Sequence, residues 1–336
     1  MCCGLLLPAS MPVPTASAAS APPSAKNCTL QQYASLYVDY SRGGGPLIPV
    51  VIGDQPVRMW LNTGSALSGL EQSAAERLGL KARPLLPGTP PIQVGNRRIN
   101  AYVTVPVMSL GNARFKNPEI VILPTPINQQ PIADAPVGFL GMDMLGNLDV
   151  EFDFGHDKIN LFSSEHCPDS AVYWAERYDV VPMRRGALGD LYFVMELDGK
   201  KLQTKLATGS EGSTLERSAA RKLYGWDENS PGVQVVADEH GGASRRYRVM
   251  SLTASGLTVL NAQIYLNTRE TECTQKAQIV TDHDRAAGFE GCMGAYPLNL
   301  GRSVLNKLRL YLAAKEQKLY FTTADAHQEA TAPGAQ

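Results

Sequence analysis

The chain lacks any surplus of charge. Its 31 Lys and Arg against 32 Asp and Glu leave a net charge of −1, and no long run of either sign occurs. Nucleic acid and anionic membrane surfaces therefore have no electrostatic handle on it, and no nucleic-acid partner is expected. No stretch after the N-terminal residues approaches the roughly 20 apolar residues needed to cross a bilayer as a helix. Histidine is scarce, with five in 336 residues, and no Cys-x-x-Cys pair is present, which removes the common metal-ligand spacings. Asp282-His283-Asp284 is the one compact cluster of ligating residue types, and it reads as a charged surface loop because no second cluster stands at motif spacing. No metal and no cofactor is expected.

The leader is also deficient. Met1-Cys2-Cys3-Gly4-Leu5-Leu6-Leu7-Pro8 has no Lys or Arg and only a short apolar part, but the small-residue stretch Ala16-Ser17-Ala18-Ala19-Ser20-Ala21 resembles a secretory cleavage site. The reading taken is a signal-like segment over 1–27 and a periplasmic or secreted protein. The alternative is a disordered Ala/Ser/Pro arm on a cytoplasmic one. Beyond the leader stand Cys28, Cys167, Cys273 and Cys292. An even number suits an oxidising compartment and suggests the pairs Cys28–Cys167 and Cys273–Cys292, while four buried free thiols remain the competing reading.

What the chain does contain, it contains twice. Leu61-Asn62-Thr63-Gly64-Ser65 and Leu206-Ala207-Thr208-Gly209-Ser210 align without a gap at an offset of 145 residues, and the alignment continues through Ser73-Ala74-Ala75 and Ser218-Ala219-Ala220. Such self-similarity fixes architecture before any other consideration. Each copy reads as a hairpin, turning at Gly53-Asp54 or Asp198-Gly199, whose second strand delivers the motif to a loop. Ser68-Gly69-Leu70-Glu71 and Ser213-Thr214-Leu215-Glu216 match the capping box, predicting helices that begin there and end near Gly79 and Gly225.

Further hairpins are expected around Val94-Gly95-Asn96 and around Gly241-Gly242, with Arg97, Arg98, Arg245, Arg246 and Arg248 as a solvated basic face. The closing strands alternate apolar and polar residues, which predicts one wet face. Asp143, Asp149 and Asp153 would then face solvent, and His156, His166, His240 and His327, which lie in polar stretches, read as solvated. The expected organisation is a first lobe over 28–168, a linker over 169–178, a second lobe over 179–323 and a polar tail over 324–336.

A strand ending in x-Thr-Gly-Ser, a flap-like hairpin, the segment Gly138-Phe139-Leu140-Gly141 with a short helix, and final strands resemble a lobe of the retropepsin-like aspartic peptidases. The chain resembles two fused lobes, as in bacterial relatives of pepsin and retropepsin, over roughly Leu47 to Phe321. The resemblance implies an all-β, two-lobed acid-protease fold with a pseudo-twofold axis. It also implies that Thr63, Ser65, Thr208 and Ser210 support the paired loops, that Gly64 and Gly209 permit close approach, and that Val94, Gly95, Asn96, Gly241 and Gly242 belong to flaps over a groove.

In that family an aspartate precedes each Thr-Gly, and the pair shares one proton to do acid and base work. Here those positions hold Asn62 and Ala207. Neither titrates, so the chain as written is expected to be proteolytically inactive, a monomer whose cleft binds a peptide or protein segment. Homodimerisation supplies only more Asn62 and Ala207. Natural loss and deliberate inactivation of an active parent both account for the two residues.

Overall fold

The computed structural model describes residues 29–42, 45–89, 92–94, 97–124, 135–186, 189–237, 243–248, 251–267 and 295–325. Strands dominate it. Each copy opens with the expected hairpin, Leu47–Ile52 against Gln55–Leu61 and Leu191–Leu197 against Lys200–Leu206. The turns use Gly53 and Gly199 at positive φ, a conformation glycine adopts without a Cβ penalty.

Two curled sheets are built on these hairpins in matching order. In the nine-stranded sheet, Gln55–Leu61 is followed by Gly138–Leu140, Gly69–Glu71, Glu119–Leu123 and Ala101–Thr104. In the ten-stranded sheet, Lys200–Leu206 is followed by Leu298–Leu300, Ser213–Leu215, Gln263–Leu266 and Ala243–Arg248. The first and third of these junctions are parallel in both copies. One face of each sheet turns inward, where Leu61, Leu70 and Leu140 of the first copy and Leu206, Leu215 and Leu300 of the second join one continuous core.

A six-stranded sheet joins the copies, in the order Gln32–Tyr37, Lys158–Phe162, Asp149–Asp153, Leu308–Ala313, Lys318–Thr323, Asp179–Pro182. Its two central strands, one from each copy, pair antiparallel. The expectation of one wet face fails here, since Asp149–Asp153 is buried throughout. Residues 163–178 pack Ala171, Trp174 and Ala175 against Phe162, Tyr311 and Tyr320, covering the face that alternation assigned to water.

The acids beneath that cover are buried and hydrogen-bonded. Glu151 accepts from Arg309 Nε at 2.7 Å and from Asn160 Nδ2 at 3.0 Å. The Arg309 guanidinium stands 4.6 Å from the Trp174 ring. Asp149 accepts from Ala314 N at 3.0 Å and meets His166 Nε2 at 2.6 Å. Asp149, Asp153 and His166 are therefore interior residues, correcting the solvated assignment. His156 keeps about half of its side chain in solvent, with Nδ1 2.8 Å from Asp153. His240 and His327 lie outside the described residues.

The capping boxes are also corrected. Gly69–Glu71 and Ser213–Leu215 are strands; the helices start after them, at Gln72–Arg77 and Arg217–Tyr224, with Glu71 and Glu216 at the N-caps and no side-chain cap. Strand pairing overrides the local signal, and each serine hydroxyl is used across the lobe instead. Ser68 Oγ accepts from Gly141 N and Ser213 Oγ from Gly301 N, both at 2.9 Å. Ser68 also donates to Asp143 at 2.6 Å, which places Asp143 in a half-buried pocket rather than in solvent. The helices end as expected, with Gly79 just beyond the first and Gly225 capping the second, both at positive φ.

Candidate functional site

The two hairpins deliver their motifs to one place. Asn62 N donates to Leu140 O and Ala207 N to Leu300 O, each at 2.9 Å, so each loop is fixed by the strand beside it in the same way. Between the loops the threonines brace one another. Thr63 Oγ1 donates to Leu206 O and Thr208 Oγ1 to Leu61 O, both at 2.9 Å, and each hydroxyl accepts the other's amide, at 3.0 and 3.2 Å. Both threonines are buried. Their polar groups are thus satisfied by the opposite lobe, and buried groups of that kind are expensive to leave unmade.

The glycines let the loops touch. A Cβ on Gly209 would lie 2.8 Å from Asn62 Oδ1, and one on Gly64 would lie 3.1 Å from the same oxygen and 3.5 Å from the Ala207 methyl. Asn62 Oδ1 accepts from Gly64 N at 3.1 Å. Ser65 Oγ donates to Leu67 O at 2.7 Å, which occupies its proton. Ser210 is exposed and donates its amide to Ala207 O.

No group at positions 62 or 207 titrates, so the floor cannot hold or pass a proton there. A cation stands at the floor. Lys205 is half-buried and donates its Nζ to Gly64 O of the opposite loop at 3.0 Å, with the Tyr296 ring 5.6 Å away. Burial pushes its pKa below the ordinary lysine value, while Asp190 and Glu216 act in the opposite direction. Behind it Tyr296 is buried, its phenol pushed far up by burial and by Asp190. Arg302 Nη1 donates to Thr208 O at 3.0 Å and ties the second loop to its own short helix, Arg302–Leu305. Sequence reasoning overlooked Lys205. The available signal was its place two residues before Ala207, where the first copy has Trp60.

Of the flap residues, Val94 ends the strand Ile92–Val94, which pairs with Arg97–Ile99. The second hairpin pairs Val233–Ala237 with Ala243–Arg248. Gly95, Asn96, Gly241 and Gly242 lie outside the described residues, as does Asp282-His283-Asp284. Arg97 is not a free solvated charge, because its Nη1 is 2.8 Å from both oxygens of Glu71. Of the four cysteines, Cys167 alone is among the described residues and is disulfide-bonded. Cys28, Cys273 and Cys292 fall outside them, and neither pairing is tested. Among the described residues no group of three or more His, Cys, Asp or Glu is arranged to hold a metal, and no helix is long and apolar enough to cross a membrane.

This geometry has a counterpart among known proteins. Residues 48–144 match the family described as aspartyl protease. The crystal structure of an aspartic proteinase from Irpex lacteus superposes with a TM-score of 0.51 at 12% identity, over 89% of this chain and 99% of that one. The chain is thus similar to aspartyl proteases in sequence over residues 48–144, and to an aspartic proteinase in fold over most of its length. At such identity the superposition carries the fold, while the family match covers most of the first copy and stops at Met144. No curated protein sequence matches the chain. At the centre of the fold stand two mutually braced loops, with Asn62 and Ala207 before their Thr-Gly pairs.

Proposed function

We propose that this aspartic-peptidase homologue is a pseudopeptidase that holds an extended peptide or protein segment in the cleft between its lobes. The observation that carries the reading is the contrast at the cleft floor: Thr63 and Thr208 are fully engaged with one another, whereas Asn62 and Ala207 offer no acid and no base. General acid–base work contributes typically 10²–10⁴-fold to such a reaction, and groups acting as a unit lose more together. An extended ligand in this groove would bond to exposed backbone in the manner of an added strand. The protein works as an exported monomer, periplasmic or secreted, with lobes over 28–168 and 179–323 and Cys28 joined to Cys167.

Two measurements test it. Casein and mixed peptide substrates between pH 3 and pH 7 should stay uncut, and hydrolysis abolished by an aspartic-peptidase inhibitor would overturn the inactivity. Labelled peptides should bind saturably, and their failure to do so would overturn the binding role. The intact floor favours one rival reading, an active endopeptidase in the parent form. Joint reversion Asn62→Asp and Ala207→Asp separates the two, since acid-dependent proteolysis in the revertant supports the rival and continued inertness supports long-settled loss.

A further inference from the structure

The inward leucines beside the two motifs are shared by the copies, but the hairpin at the end of each sheet is not. In the first copy that hairpin is Val107–Leu110 with Ala113–Lys116, and in the second Ser251–Ala254 with Leu257–Leu260. Both close in the same register around a two-residue turn, and both join the motif hairpin through two residue pairs, so they are equivalent elements. Their inward positions therefore correspond: Met108 with Leu252, Leu110 with Ala254, Ala113 with Leu257 and Phe115 with Val259.

The exchange takes away a leucine and a phenylalanine and returns one leucine. Large-to-small changes of this kind leave a void where the neighbours relax only in part. In the first copy Met108, Leu110 and Ala113 are at 4% exposure or less, and Phe115 packs against the same core. In the second Leu252 and Ala254 are buried, but Leu257 and Val259 are only half-buried, and beneath them lies an empty space of about 320 Å³, counted out through its mouth to solvent.

Ala254, Leu257 and Val259 of the hairpin bound this space, with Leu206 of the motif strand and Leu310 and Phe321 of the central sheet. Every side chain that lines it is apolar. Nothing there holds a water in place, and apolar cavities of this kind stay dry and take up hydrocarbons. The space is at the small end of ligand pockets, which run from roughly 300 to 1,000 Å³. It is also narrow, with room between its walls for about one water-sized body. Such a shape suits a slender chain better than a ring, and the hairpin gives way as the chain enters. Its ends are tied by acids: Ser251 N donates to Asp198 Oδ1 at 2.8 Å and Gly256 N to Asp179 Oδ1 at 2.9 Å. With those charges at the hairpin and no cation in the lining, a carboxylate head is disfavoured.

We propose that this space is a binding site for an unbranched alkyl chain carried on an uncharged head group, with the hairpin over 251–260 as its lid. Burial of methylenes supplies the affinity. The replacement of a leucine and a phenylalanine by Ala254 and Val259 is what makes room for the chain. The site lies inside the second lobe and is independent of peptide binding in the cleft.

The test titrates the full chain calorimetrically with n-butanol, n-hexanol, n-octanol, n-decanol, octanoate and an N-octanoyl tripeptide amide. Affinity should rise about fourfold per methylene over the shorter alcohols and level off once the space is full. Octanol should bind more tightly than octanoate. Equal binding of the acylated tripeptide makes a lipidated peptide the carrier of the chain, and its failure beside a binding octanol makes the carrier a small neutral lipid; both fit the site. Ala254→Leu with Val259→Phe writes the first copy's residues into the second, and should remove octanol binding and raise the melting temperature. Should the double variant misfold, Val259→Phe alone gives the same comparison, and the chain-length series needs no variant. Absence of saturable octanol binding, an affinity that climbs unbroken through decanol, tighter binding of octanoate, or octanol binding unchanged in both filled variants overturns the site. Each of these leaves the peptide-binding reading standing.

Discussion

The two copies agree where their strands face the core and disagree where they face the cleft. Leu61, Leu140 and Leu70 in one, and Leu206, Leu300 and Leu215 in the other, are the same residue at the same place in the same sheet order. On the opposite face Trp60, Phe139 and Gly69 stand against Lys205, Asn299 and Thr214. A duplicated backbone needs its inward leucines to fold, since close-packed interiors feel every methylene. It needs nothing in particular on the wet face, so that face is where the copies are free to divide the work.

The same division runs through the central sheet. The first copy supplies acids there, Asp149, Glu151 and Asp153, and the second supplies Arg309. Arg309→Met is expected to have the largest effect. It leaves Glu151 buried without its cation, a loss of about 3–5 kcal/mol, visible as a lowered denaturant midpoint. Glu151→Gln in the same chain should return much of that loss; full additivity of the two would show that they do not act as a pair.

Next in size is the floor. Thr208→Val strands the Leu61 carbonyl and the Thr63 amide, costing about 2–4 kcal/mol, and Thr63→Val should cost the same, because the bracing is reciprocal. Clearly unequal losses in equilibrium unfolding would break the equivalence of the two loops.

A smaller effect comes from making one cleft row resemble the other. Gly69→Thr copies Thr214 into the first row and drives a Cβ to 2.7 Å from the Phe139 ring, an overpacking loss of about 1–3 kcal/mol. Adding Phe139→Asn completes the copy, removes the clash and should restore part of the melting temperature. No recovery would mean that the rows differ in backbone as well as in side chain.

The smallest effect depends on pH. Burial alone would lower the His166 pKa, but the Cys167 carbonyl and the Asp149 carboxylate bond to its ring, and with the charge of Glu316 they raise it above the ordinary value. Tyr311 closes the remaining side, ring edge to ring face. A raised folded-state value means that the stabilisation is complete below the unfolded value near 6.5 and is lost as pH rises through the folded one. Stability should therefore fall as pH rises across that window, and His166→Gln should flatten the curve. An unchanged pH profile in the variant would show that some other group sets it.

Much of the fold was legible because its signals are local and doubled. The turns at Gly53-Asp54 and Asp198-Gly199, the hairpins and the helix ends at Gly79 and Gly225 all stand where residue chemistry places them. Ser-x-x-Glu misled because a short strand reaching a parallel neighbour wins over a cap, and Ser68 and Ser213 found Gly141 and Gly301 more than 70 residues away. Asp149 and Asp153 misled because alternation reports that one face differs from the other, not that the other meets water, and His166 because a polar stretch can be buried when its partners are. Only the packed segment carrying Trp174 decides that. Lys205 was hidden for a different reason: its strand is otherwise ordinary, and its importance comes from Gly64, a loop 141 residues away.

The bracing threonines have a consequence for which positions can vary. Each commits its hydroxyl to the other lobe's backbone, so the pair acts in folding. Neither the Asn62 nor the Ala207 side chain bonds to either threonine, so the residue before each Thr-Gly can be exchanged without touching the brace. The brace is a hinge pin whose fit does not depend on what the cleft above it holds.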